Sequence, residues 1–248
     1  MNELLLIASL IVTFAAVLVA YRFFGRSGLY AMSAITTVFA NIEVIILIKA
    51  FGMEQTLGNV LFAATFLITD ILSECEGKKC ANKAVMIGIF SQIFFLLLSQ
   101  SWLLYKPVVE DEAFIAIKTV FSNTPRMILA SLAVYAVSQI FDVWLYHKWW
   151  NFTEKKFGNR RGFLWLRNNG STLVSQIINT LLFTLLAFVG TYEFKTLLSI
   201  FASSYVIFVF TSLLDTPCVY LARKISDNRN NKKVNASTDD ATEAGENS

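Results

Sequence analysis

The chain has 248 residues, 55% of them hydrophobic and only 16% charged, with a mean hydropathy of +0.55. Soluble domains carry about 25% charged and about 45–50% apolar residues, so this balance excludes an ordinary soluble domain and points to the membrane. A formal net charge of +3, three cysteines and one histidine argue against a nucleic-acid footprint, a disulfide framework and a histidine-built reactive centre.

Seven apolar runs follow in chain order, each approaching the roughly 20 residues that cross a hydrocarbon core. The first, residues 4–24, is headed by Glu3 rather than by positive charge and is long for a secretory signal, so it reads as a span. The second, 30–50, places Asn41 and Glu43 near its middle, two apart and hence pointing in different directions. The third, 57–72, is short and closes on Thr69, Asp70 and Glu74, with Asp70 and Glu74 on one helical face. Glu76, Gly77, Lys78, Lys79 and Lys83 then mark a polar turn. The fourth, 84–104, carries Gln92, Ser99 and Gln100. The fifth, 127–146, bears Ser131, Tyr135, Gln139, Asp142 and Tyr146 at steps of three and four, and His147 follows at its expected end, where the dipole favours a cation. The sixth, 172–189, aligns Thr172, Gln176, Asn179, Thr180 and Thr184. The seventh, 197–221, carries Tyr205, Thr211 and Asp215. The polar tail, 226–248, has too little apolar surface to fold and is expected to be disordered.

Basic residues test this count. With seven spans, one side receives Arg22, Arg26, Lys78, Lys79, Lys83, Lys148, Lys155, Lys156, Arg160, Arg161, Arg167, Arg223, Lys224, Arg229, Lys232 and Lys233, and the other only Lys49, Lys106, Lys118, Arg126 and Lys195. Basic residues concentrate on the cytoplasmic face, so the expected topology has the N-terminus outside and the C-terminus in the cytoplasm of a multi-pass protein of the bacterial plasma (inner) membrane. Cys75, Cys80 and Cys218 fall near the cytoplasmic face, where free thiols are expected. Cys75 and Cys80 are five apart with no second pair of ligands, so no metal site is expected.

Polar side chains inside spans are expensive, and they mark function when they are acids. Serine, threonine and lone glutamine often serve only to join helices. For Glu43, Asp70, Asp142 and Asp215, the one basic residue near a span edge is Arg126, at the opposite face from Asp142. These acids are therefore expected to line a wet cavity, bind a polar ligand or hold protons, rather than pair with bases inside the bundle. There is no glycine-rich loop with a following Lys-Ser or Lys-Thr, no Gly-x-Ser-x-Gly and no His-Glu-x-x-His. A transporter or channel without cofactor or catalytic residues fits better than an intramembrane enzyme built on aspartate pairs.

The stretch "TDILSECEGKKCANKAV" resembles a signature of the vitamin-uptake-like transporters, also called queuosine-precursor transporters. "NIEVIILIKAFG", "YAVSQIFDVWLYHKW", "LWLRNNGSTLVSQIINTLLFTLLAF" and "SLLDTPCVYLARK" resemble further segments of that family in the same order, so the likeness covers about residues 29–224. It implies an all-α polytopic membrane helix bundle. Residues 26–225 would be a six-helix transporter core similar to the substrate subunits of energy-coupling-factor transporters, residues 1–25 an additional N-terminal transmembrane helix, and 226–248 the cytoplasmic tail. It implies import of a 7-deazaguanine base (queuine, or the 7-cyano or 7-aminomethyl form) for salvage in tRNA modification. Asn41, Thr69, Asp70, Glu74, Gln139, Asp142, Ser171, Gln176 and Asp215 match the family pattern and are the implied substrate-binding residues, joined by Tyr135 and Asn179. Such a base is flat, so aromatic rings can stack on it, and its N–H donors suit carboxylates. The chain departs from the family at Asn179, where relatives carry an acid, and at Phe208, where they carry a lysine. The departures leave the identity of the base open. Two energy sources also stay open: standalone transport driven by carboxylate protonation, or docking onto a separate ATP-driven module. A homo-oligomer is compatible with either.

Overall fold

The computed structural model describes residues 1–108, 111–122, 125–159 and 161–246; Arg160 lies outside them. The described residues form eight helices and one hairpin: α1 (Asn2–Phe24), α2 (Arg26–Glu43), β1 (Leu47–Ala50), β2 (Met53–Thr56), α3 (Asn59–Cys75), α4 (Lys78–Trp102), α5 (Glu112–Ser122), α6 (Pro125–Phe157), α7 (Leu164–Phe188) and α8 (Phe194–Glu246). The protein is all-α apart from the hairpin. Five helices, α1, α4, α6, α7 and α8, are long and apolar enough to cross a membrane.

Of the three shorter helices, α2 and α3 lie within the bundle. Every residue of α3 from 63 to 73 is buried, as befits a helix that is apolar nearly all round. It packs against α1, α2, α4, α6 and α8 and so forms the centre of the molecule. On α1, Leu6, Leu10, Phe14, Val17 and Tyr21 recur at three and four residues and enter the same core. The α1–α2 corner is tight: a Cβ on Gly28 would lie 2.3 Å from the Ala20 carbonyl oxygen, so only glycine fits there.

The second apolar run does not stay helical to residue 50. α2 ends at Glu43, and Leu47–Ala50 pairs antiparallel with Met53–Thr56 in the register Leu47↔Thr56 to Ala50↔Met53. Val44, Ile45, Ile46 and Ile48 are β-branched, which lowers helix preference and raises strand preference. Phe51 (φ 54°) and Gly52 (φ 73°) form a two-residue turn with both φ positive, the geometry that matches strand twist. The hairpin is tied to the start of α1, where the Asn2 side chain donates to the Lys49 carbonyl at 2.9 Å and the Phe51 amide donates to Glu3 at 3.2 Å. It is tied to α8 where Ser203 donates to the Glu54 carbonyl at 3.2 Å.

Three helices outrun their predicted ends. α6 continues past Tyr146 to Phe157, so His147 is not at a helix end; its ring stacks on Trp150 at 5.8 Å. The added turns hold Lys148, Trp149 and Trp150, residue types that favour the membrane–water boundary, so the helix emerges there without stopping. α7 starts at Leu164, which moves Arg167 and Asn168 from the expected loop into a buried helix. α8 continues through Ser226 to Glu246 as one helix containing Pro217. The first turns of the polar tail are anchored on the bundle: Asp227 pairs with Arg161, and Arg229 donates to the Tyr21 carbonyl at 2.6 Å while lying over its ring. α5 was not anticipated from the sequence.

Candidate functional site

Three carboxylates from three helices meet in the middle of the bundle: Asp70 on α3, Asp142 on α6 and Asp215 on α8, all buried and close enough to interact electrostatically. None forms an ion pair among the described residues. α7 supplies their polar neighbours. Thr172 donates to Asp70 at 3.1 Å, and Asn168 donates to Asp215 at 2.7 Å. Among the described residues, the other oxygen of Asp70 and both oxygens of Asp142 have no partner in good hydrogen-bond geometry. Ser171, Ser175 and Asp70 flank the Asp142 carboxyl. Carboxylates this deeply buried require protons, a cation or N–H donors from a ligand, because an uncompensated charge in low dielectric is prohibitive.

On the hairpin side of the acids lies a neutral layer. Thr69 donates to the Gln139 carbonyl at 3.0 Å, and the Gln139 amide donates to Thr65 at 2.6 Å. Beyond it Asn179 donates to Gln176 at 2.9 Å, with the Ser138 hydroxyl 3.5 Å from the Asn179 oxygen. Asn179 borders a cavity with about 100 Å³ of room for the centres of water molecules. The hairpin, α3, α6, α7 and α8 enclose it, and Phe62, Phe183, Phe188 and Phe208 form its aromatic walls. Asn179 and Phe208, the two positions at which the resemblance is expected to break, both line this one space. Tyr135 does not; it stands behind the wall, edge-on to Phe62 at 6.1 Å.

On the opposite side the acids are followed by an ion pair. Arg167 Nη2 approaches Glu74 Oε1 at 2.6 Å and Oε2 at 2.7 Å, and Arg167 Nε donates to Oε2 at 2.9 Å. Tyr146 donates to the same carboxylate at 2.8 Å, and Arg223 lies 3.6 Å away. Trp150 covers the guanidinium at 4.3 Å. Glu74 therefore has a basic partner inside the bundle. Past it a second cavity of about 520 Å³ opens, lined by Glu74, Arg161 and Arg223 among others.

Of the expected site residues, the structure joins Asp70, Asp142, Asp215 and Ser171 in one centre, Thr69 and Gln139 in the layer above, and Gln176 with Asn179 at the cavity floor. Asn41 stands apart: its amide donates to the Thr37 carbonyl at 2.9 Å, and its own oxygen is unpartnered. Sequence reasoning missed Arg167, Asn168, Thr65 and Thr172 as partners in this column. One signal was present: Arg167, Ser171 and Ser175 fall four apart and extend the polar stripe of the sixth run by two turns.

A column of buried polar side chains through a bundle of membrane helices, with a cavity at each end, defines a multi-pass membrane protein of the solute-handling class. Comparison with known proteins gives the family. The one described as "Putative vitamin uptake transporter" matches residues 56–222. The "Probable queuosine precursor transporter" of Bacillus subtilis (strain 168) is 38% identical over 218 residues, covering 88% of this chain and 93% of that protein. The chain belongs to this transporter family. No solved structure matches it.

Proposed function

We propose that the protein imports a queuosine precursor, a 7-deazaguanine base, across the plasma membrane for tRNA modification salvage. One observation carries the reading: the relative named for queuosine precursor transport matches along 88% of this chain. The geometry supports it. A flat base fits between the phenylalanine walls of the hairpin-side cavity, and its N–H groups suit the open carboxylates of Asp70 and Asp142, with Gln139, Thr69, Ser171, Gln176, Asn179 and Asp215 around its path. Glu74 takes a holding role through Arg167. Tyr135 acts by backing the Phe62 wall, and Asn41 acts from outside the cavity.

In this reading α2 and α3 join the five long helices as spans, giving seven. The hairpin and N-terminus face outside, and the end bearing Lys78, Arg161 and Arg223 faces the cytoplasm. The first cavity then receives solute from outside, and the protein works without an ATP-driven module. The test is salvage in a bacterial host that can neither make the precursor nor supply an energy-coupling module. Expression of this chain should restore queuosine in tRNA when the base is fed. No salvage of any candidate base would overturn the substrate. Salvage that appears only when an ATP-driven module is co-expressed would establish the substrate-subunit alternative instead.

A further inference from the structure

The hairpin presents a side chain with no structural employment. Gln55, on β2, is 2% exposed, and among the described residues neither its amide nitrogen nor its carbonyl oxygen has a hydrogen-bond partner. It borders the hairpin-side cavity, as does Asn59 at the start of α3, whose amide nitrogen is also unpartnered. Asn59 spends its oxygen on the Thr56 hydroxyl at 3.3 Å, which leaves that nitrogen free to donate. Burying a primary amide with both ends unmet is costly, and an apolar side chain of similar size at the position would avoid that cost. Register explains why the side chain is there: Gln55 pairs with Ile48 across the hairpin, so turning it outward would require a slip that flips every neighbour on the strand.

We propose that Gln55 is a substrate-reading residue, which pairs through both ends of its amide with the lactam edge of the ring, the adjacent N–H and C=O of a 6-oxo-7-deazapurine. A primary amide offers one donor and one acceptor side by side, the complement of that edge. The phenylalanine walls supply the faces for stacking, and Asn59 adds one donor. The assignment rests on the reading that the solute is a 7-deazaguanine base. It places recognition of the ring on the hairpin, ahead of the carboxylates. The lactam edge is common to queuine and to the cyano and aminomethyl forms, so Gln55 reads the shared part of the solute and not its variable substituent.

The experiment measures uptake kinetics in cells unable to make the base, using labelled 7-deazaguanine and its derivative methylated on the lactam nitrogen. Wild type, Gln55→Leu and Gln55→Asn are compared at matched membrane levels. Wild type should show a KM about tenfold or more higher for the methylated base, the scale of losing a paired polar contact. Gln55→Leu should raise KM for the plain base by a similar factor, keep the maximal rate, and no longer distinguish the two bases. A Gln55→Leu protein that retains full discrimination would overturn the proposal, because a structural role would leave that ratio untouched. If the leucine variant fails to reach the membrane, Gln55→Asn decides: reduced discrimination supports the proposal and full retention overturns it. Failure of wild type to take up either base would count against the functional reading and not against Gln55 alone.

Discussion

Glu74 and Asp142 are both buried carboxylates on contacting helices, yet their surroundings differ. Glu74 receives donors from Arg167 and Tyr146 on both oxygens, with Arg223 near. Asp142 has no basic partner among the described residues, only the neighbouring Ser171, Ser175 and Asp70 side chains. A carboxylate held by a guanidinium and a phenol has its charge already compensated, and its value lies in fixing α3 to α7. A buried carboxylate with nothing bound is a cost the fold retains only where something arrives from outside the chain. The difference separates the part of the polar column that holds the bundle together from the part that handles solute.

The sharpest test of that separation is Asp142→Asn. Uptake should fall about 100-fold or more, as when a charged partner of a buried donor is removed, with the protein still inserted and its thermal stability unchanged or raised. Transport assays beside detergent melting curves check this; normal uptake would erase the distinction. Glu74→Gln should do the reverse. It leaves Arg167 buried without its counter-charge, which costs roughly 3–5 kcal/mol, so the amount of folded protein should drop before transport per molecule does. Adding Arg167→Met should recover part of that stability, because an absent pair is cheaper than half of one.

Gly88→Ala is a smaller perturbation of the wall behind the site. A Cβ there would lie 2.2 Å from the Tyr135 hydroxyl, and overpacking of this kind costs about 1–3 kcal/mol. Tyr135 would shift against Phe62, and KM should rise while the acids stay intact. The mildest change is Asn179→Asp, which restores an acid to the cavity beside Phe208. It should favour the aminomethyl base, a cation, over the cyano base by about three- to tenfold in competition assays, the scale of one partly solvated charge contact. Equal competition would mean that the substituent does not lie near Asn179.

Much of this centre was legible in the residues. The stripe of Tyr135, Gln139 and Asp142 at helical spacing identified the inner face of α6, and acids inside apolar runs identified Asp70 and Asp215. What could not be read was pairing across the bundle. Arg167 and Glu74 are 93 residues apart, and a basic residue beside "RNNG" looks like loop until the helix is known to start at Leu164. The hairpin was hidden for another reason. An unbroken apolar run such as "VIILI" satisfies a buried helix and a buried strand equally, and only the Phe51–Gly52 turn decides between them. Gln55 lies between the second and third apolar runs, and only the strand register shows that it is buried.

Pro217 sits two residues past Asp215 on α8. Lacking an amide hydrogen, it leaves the Leu213 carbonyl without its usual helical donor and crowds the preceding turn. Bending α8 at that level breaks no backbone bond that was present to begin with, whereas bending it elsewhere does. In mechanical terms the longest rod of the molecule has its lowest stiffness at the height of its one intramembrane acid. A small angular change there would move the two halves of α8 relative to one another while Asp215 and its partner Asn168 remain near the pivot.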